Sequence, residues 1–121
     1  MKTKGVRYWT KKCDAIFSKI IRLRGKCEKC GSTSNLQTAH VIGRANKQVR
    51  FDPENCLCLC TKCHIFWAHR EPIEFAEWVK EYLGEALYNA LRFRALRTDK
   101  FDFESKYLEL KGLYEEISKS K

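Results

Sequence analysis

The chain has 121 residues, enough for one compact core, and its 44% apolar share gives no sign of general disorder. No apolar run approaches the roughly 20 residues that a membrane span requires, and the N-terminus lacks the apolar stretch of a signal peptide, so a soluble cytoplasmic chain is expected. The net charge of +9 is polarised, because residues 1–26 hold nine Lys or Arg against one acid, Asp14, whereas residues 27–84 balance seven against seven. Such a patch suits a nucleic acid; the plainer reading is a solvated lysine-rich face that aids solubility.

In chain order, residues 1–9 read as a basic arm. Over residues 10–26, Ile16, Phe17, Ile20 and Ile21 recur at helical spacing, with Thr10 as a cap and Gly25 as a stop, which predicts a helix with one apolar stripe. Lys11, Lys12, Lys19, Arg22 and Arg24 fall on its outer faces as candidate phosphate contacts. Cys27-Glu28-Lys29-Cys30-Gly31 is a cysteine knuckle, residues 36–42 read as a short strand, and residues 43–48 as a basic loop. Residues 51–55 form a turn, since Pro53 holds Asp52 extended, and Cys56–Cys60 is a short apolar segment. A helix is expected to begin within residues 64–69. Pro72 suits the first turn of the next helix, Gly84 ends it, and residues 85–96 form another. From Phe103 onward, Phe103, Tyr107, Leu110, Tyr114 and Ile117 are spaced 4, 3, 4, 3. That is a narrow stripe of the coiled-coil type, open either to packing on the chain's own helices or to a homodimer seam.

The seven cysteines could suggest a disulfide scaffold, but their number is odd, no export signal precedes them, and four of them form two C-x-x-C pairs. Cys27, Cys30, Cys60 and Cys63 therefore read as one tetrahedral zinc site rather than as disulfides. Four thiolates leave no open coordination position, so that zinc would be structural. Cys13, Cys56 and Cys58 are assigned as small core hydrophobes, with Cys56, Cys58 and Cys60 on one side of a strand by alternation.

The only three histidines, His40, His64 and His69, lie between or just after the knuckles, together with Asn55. Over residues 27–69 this order, C-x-x-C, His40, Asn55, then Cys60-x-x-Cys63-His64, resembles the HNH endonuclease family. The wider stretch 14–84 is similar, more loosely, to the phage NinG (Rap) recombination endonucleases. The shared features there are Phe17-Ser18, residues 21–24, Ala39-His40, Arg50-Phe51-Asp52 and a Trp/His segment after the second knuckle.

Length, the helical patterning and the resemblance over residues 27–69 together predict an α+β, mainly helical single domain over residues 1–121, although residues 85–121 carry no resemblance. Residues 1–26 would be the basic arm and helix, residues 27–69 a zinc-bound ββα-metal (HNH) core, and residues 72–121 a helical C-terminal part. The resemblance further implies a metal-dependent DNA endonuclease, acting on branched or recombination intermediates, in a host cytoplasm if phage-encoded. His40 would be the general base, Asn55 would orient the loop or that imidazole, and His64 would bind a catalytic Mg2+ or Mn2+. Many family members carry Asp or His just before the base, where this chain has Ala39. Asn55, Asp52 or His69 would then complete the metal's ligands. His69 is five residues past His64, about 140° round a regular helix, so it reaches the site only if the helix is irregular there. Arg44, Lys47 and Arg50 join the candidate phosphate contacts. The alternative is a non-catalytic zinc-ribbon module that binds nucleic acid through the basic helix.

Overall fold

A computed structural model describes residues 4–120. Helix α1 spans Val6–Arg22, and its stripe buries Cys13, Phe17, Ile20 and Ile21. It starts earlier than Thr10 and stops before Lys26, with Gly5 as N-cap. Thr10 lies inside it, its hydroxyl donating to the Val6 carbonyl at 2.7 Å. The early start follows from Trp9, whose ring packs against Tyr107 with centroids 5.7 Å apart and so extends the apolar stripe by a turn. Residues 6–9 of the expected arm are helix, and its residues 1–3 lie outside the described residues.

Strand β1 (Leu36–His40) is followed by a single turn of helix, α2 (Lys47–Arg50), a 3-10 turn at Pro53–Asn55, and strand β2 (Cys56–Cys60). The strands pair antiparallel, with Leu36 opposite Cys60 and His40 opposite Cys56. The first strand ends at His40, two residues short of its predicted end, because a side chain takes over the peptide groups of Ile42. Asn55 Oδ1 accepts from Ile42 N at 2.9 Å, and Asn55 Nδ2 donates to Ile42 O at 3.1 Å.

Beyond β2, helix α3 (Thr61–Cys63) runs directly into a π turn, His64–Ala68. Helices α4 (Pro72–Leu83), α5 (Glu85–Ala95) and α6 (Phe103–Lys119) complete the chain. Gly84 joins α4 to α5 at φ +88°, a conformation that strains any side chain with a Cβ. The Asp102 carboxylate caps α6 by accepting from the Glu104 and Ser105 amides.

The molecule is mainly helical around one two-stranded sheet, and β2 is buried along its whole length. Its alternate residues divide two cores: Cys56 and Cys58 join α1 and α6, while Leu57 and Leu59 join Ala68 and Val79 on the other face. Cys60 leaves the alternation and clusters with Cys27 and Cys63, since the strand ends there and turns into the second knuckle. On α6, Leu110 is buried against α1, with Phe103, Tyr107, Tyr114 and Ile117 packed around the same cluster. The 4-3-4-3 stripe is thus covered by the chain's own first helix. Among the described residues, no helix is long and apolar enough to cross a membrane.

Candidate functional site

The two knuckles meet. The Sγ atoms of Cys27, Cys30, Cys60 and Cys63 all lie within 4.8 Å of one another, a group that can hold one metal ion. The first knuckle closes with Gly31 at φ +83°, its amide donating to Cys27 O at 2.8 Å. It is pinned to β2 by Glu28, whose amide donates to Cys58 O at 2.8 Å and whose carboxylate accepts from Cys58 N. Burial alone would raise the Cys27 thiol, but amide donors of Cys30, Cys60 and Lys29 bring it down to about 6. Cys63 is pushed well up by burial and by the neighbouring thiols, Cys27 among them. A cation at the centre would favour thiolate at both. Burial raises Cys13 to about 11 and Cys56 higher still, so these two stay neutral core residues, as their expected role requires.

Beside this group lies a cleft of roughly 530 Å³, between α1, β1, the π turn and α4. All three histidines line it.

His40 stands at the end of β1, where its Nε2 pairs with the Arg50 carbonyl at 2.9 Å. A carbonyl only accepts, so the neutral ring carries its proton on Nε2 and leaves Nδ1 as the lone pair. Nδ1 has no protein partner, and no side-chain nitrogen or oxygen among the described residues is buried without one, so it is open to solvent. Burial, opposed by the Arg50 carbonyl and assisted by the Arg44 and Arg50 charges, holds His40 below the ordinary value of 6.5.

His64 donates from Nδ1 to Gln37 Oε1 at 2.7 Å, which leaves Nε2 as its lone pair, open to solvent by the same reasoning. Burial, then the charges of His69 and His40, lowers it to about 4, so it is a neutral donor near neutral pH. The π turn brings His69 to it. The His69 amide bonds to the His64 carbonyl at 3.1 Å, an i→i+5 bond, and the two ring centroids lie 4.4 Å apart. The wider turn overcomes the angular offset that a regular helix would impose.

Asn55 is fully buried and outside the cleft lining. Its side-chain amide also donates to Val49 O at 3.0 Å, so both polar atoms of the side chain hold the 41–50 loop to the sheet. This corrects its reading as a metal ligand and leaves it the loop-orienting role. Asp52 points elsewhere too, accepting from Arg94 at 2.6 Å.

The candidate phosphate contacts divide by partner. Arg22 and Arg44 line the cleft, and Lys11, Lys19 and Lys47 are exposed without an ion pair among the described residues. Lys12 lies over the Tyr8 and Tyr107 rings. Arg24 donates to Glu28, to Cys56 O at 2.7 Å and to Pro53 O at 2.8 Å, and Arg50 forks onto Asp14. Those last two turn inward, held by partners in the protein rather than presented to a ligand.

Sequence reasoning passed over Gln37 and Asp14. Gln37 gave no signal, since its task depends on where His64 lands. Asp14 gave a faint one, as the single acid in a strongly basic segment. Comparison with known protein families, curated proteins and solved structures gave no match.

Proposed function

We propose that this chain is a metal-dependent DNA endonuclease of the HNH type, with a structural zinc in the four-cysteine site. The observation that carries the reading is the convergence of His40, His64 and His69 on one cleft whose rim holds Arg22 and Arg44. A module that only binds nucleic acid has no use for a solvent-facing imidazole lone pair held by a backbone carbonyl.

His40 Nδ1 takes the proton from the attacking water, while the Arg50 carbonyl keeps the proton on Nε2. The water oxygen bonds to phosphorus, the P–O3′ bond breaks, and the departing oxygen is protonated from solvent. Arg44 and Arg22 bind the phosphates on either side. His64 Nε2 and His69 would hold the catalytic divalent ion, and Gln37 keeps His64 in the tautomer that leaves Nε2 free. When bound, that ion supplies positive charge to the scissile phosphate and the leaving oxygen. Two imidazoles with Ala39 beside the base form a nitrogen donor set, which fits Mn2+ better than the oxygen-seeking Mg2+.

The second reading, a zinc-ribbon binder without catalysis, draws on Lys11, Lys19 and Lys47, which are exposed outside the cleft and serve binding equally well. The experiment compares wild type with His40→Ala on plasmid, linear duplex and four-way-junction DNA, with Mn2+ or Mg2+ and then with chelator. Metal-dependent cleavage that disappears in the variant while binding persists is expected. Equal cleavage by both proteins would remove His40 as the base. Binding without cleavage under every metal would establish the second reading.

A further inference from the structure

Asp14 sits midway along α1 and lines the cleft; its charge acts on His40, but no hydrogen bond joins it to a histidine among the described residues. Its carboxylate gathers two arginines from the 43–50 segment. Arg50 forks onto it, Nε to Oδ1 at 3.2 Å and Nη2 to Oδ2 at 2.7 Å. Arg44 Nη2 reaches the same Oδ2 at 3.1 Å. Arg50 Nη1 then donates to the Arg44 carbonyl at 3.4 Å, which ties the two arginines to each other. The Arg50 carbonyl is the atom that receives His40 Nε2. One residue therefore links Asp14, through its side chain, to the proton on His40, through its main chain.

We propose that Asp14 is the positioning residue of the cleft: it fixes the Arg50 carbonyl, which keeps His40 in the Nε2–H tautomer, and it aims the Arg44 guanidinium at a substrate phosphodiester. Helix α2 is four residues long and cannot hold its last carbonyl still by its own hydrogen bonds. An anchor on the 17-residue α1 supplies what that single turn lacks. The Arg50 side chain is 20% exposed, so its fork is sheltered, whereas that of Arg44 is 59% exposed and keeps donors for a ligand. A surface pair such as Arg44–Asp14 adds little to stability, so its place at the rim is better explained by aim than by folding. Two guanidinium groups and one carboxylate leave a single positive charge beside the base, which matches one phosphodiester. The phosphate half of this proposal rests on the nuclease reading; the tautomer half does not.

The test uses the zinc-loaded full chain. Long-range 1H–15N correlation of the imidazole rings gives the His40 tautomer directly. In wild type, Nδ1 carries the unprotonated signature. In Asp14→Asn the two tautomers mix, and kcat for DNA cleavage falls about tenfold to hundredfold, the usual cost of losing an orienting partner. Arg44→Ala keeps the wild-type tautomer and raises KM. Should Asp14→Asn fail to fold, Arg50→Lys preserves the charge and the carbonyl but removes the fork, and it is expected to mix the tautomers in the same way. An Asp14→Asn or Arg50→Lys protein with the wild-type tautomer and kcat would overturn the proposal while leaving the nuclease reading intact. A wild type that cleaves no DNA, with tautomers that still mix in Asp14→Asn, would remove the nuclease reading and support the positioning role.

Discussion

His40 has two ring nitrogens in different settings, one bonded to a backbone carbonyl and one open to solvent, and in the proposed base role its depressed pKa would set how cleavage responds to pH. A base works only when neutral. Burial, with Arg44 and Arg50 nearby, keeps His40 neutral below the ordinary 6.5, so the acid limb of kcat/KM for cleavage is expected to fall below that value. The same shift bears on stability. The folded chain binds this proton more weakly than the unfolded chain, so the His40 contribution is present above pH 6.5 and is lost as pH falls through the folded value. An acid limb at or above 6.5 in a pH–rate series would contradict this assignment. Asn55 works by geometry alone. Replacing it with Ala strips partners from the Ile42 amide and from the Ile42 and Val49 carbonyls, in a site closed to water. The expected cost is about 3 kcal/mol in denaturant unfolding, with cleavage falling because the loop that carries Arg50 is released. The HNH-like spacing singled Asn55 out as a loop-orienting candidate, but its hydrogen-bond partners could not be read from the sequence. Gln37 was illegible, and Asp14 only faintly marked, for the same reason, since a polar residue's task depends on which distant atom the fold delivers to it.

At the scale of elements, what repeats along the chain could be read and what interrupts the repeat could not. The stripes of α1 and α6, Pro72 at the start of α4 and Gly84 between α4 and α5 all carry periodic or turn signals, and each lies where those signals put it. The π turn carries none. Nothing in His64-Ile65-Phe66-Trp67-Ala68 marks one wide turn, yet it decides whether His69 belongs to the site. It sits where Ala68 is buried in the core with Leu57 and Val79 while Ile65 and Phe66 remain exposed. If the turn makes His69 a ligand, His69→Ala weakens Mn2+ binding at the cleft by about tenfold or more in calorimetric titration, with the four-cysteine metal retained. Unchanged Mn2+ affinity would return His69 to the role of a phosphate contact.

For the whole molecule, the four-cysteine group ties together two segments far apart in the sequence. Cys27 and Cys30 follow α1, Cys60 and Cys63 end the sheet, and His64 stands directly behind them. The first knuckle also reaches the π turn and α4: Lys29 Nζ lies 4.8 Å from the Trp67 ring centroid and 5.8 Å from that of Trp78, and Tyr82 donates to Glu28 at 2.8 Å. If the group holds the proposed zinc, removing that ion would leave four crowded thiols, and the segment that carries His64 would lose an anchor. Removing it with a strong chelator is therefore expected to lower the unfolding temperature and shift the tryptophan fluorescence together, because the knuckle packs on those two indoles. Cys60→Ser should reproduce both changes. Metal also competes with protons for sulfur, so affinity should weaken as pH falls through about 6, where even Cys27 becomes protonated, and loading near neutral pH should release protons because Cys63 starts as the thiol. Calorimetry in buffers of differing ionisation enthalpy counts that release. A chelated protein with unchanged melting and fluorescence would deny the metal its structural role, and the position of His64 would then rest on Gln37 and the π turn alone.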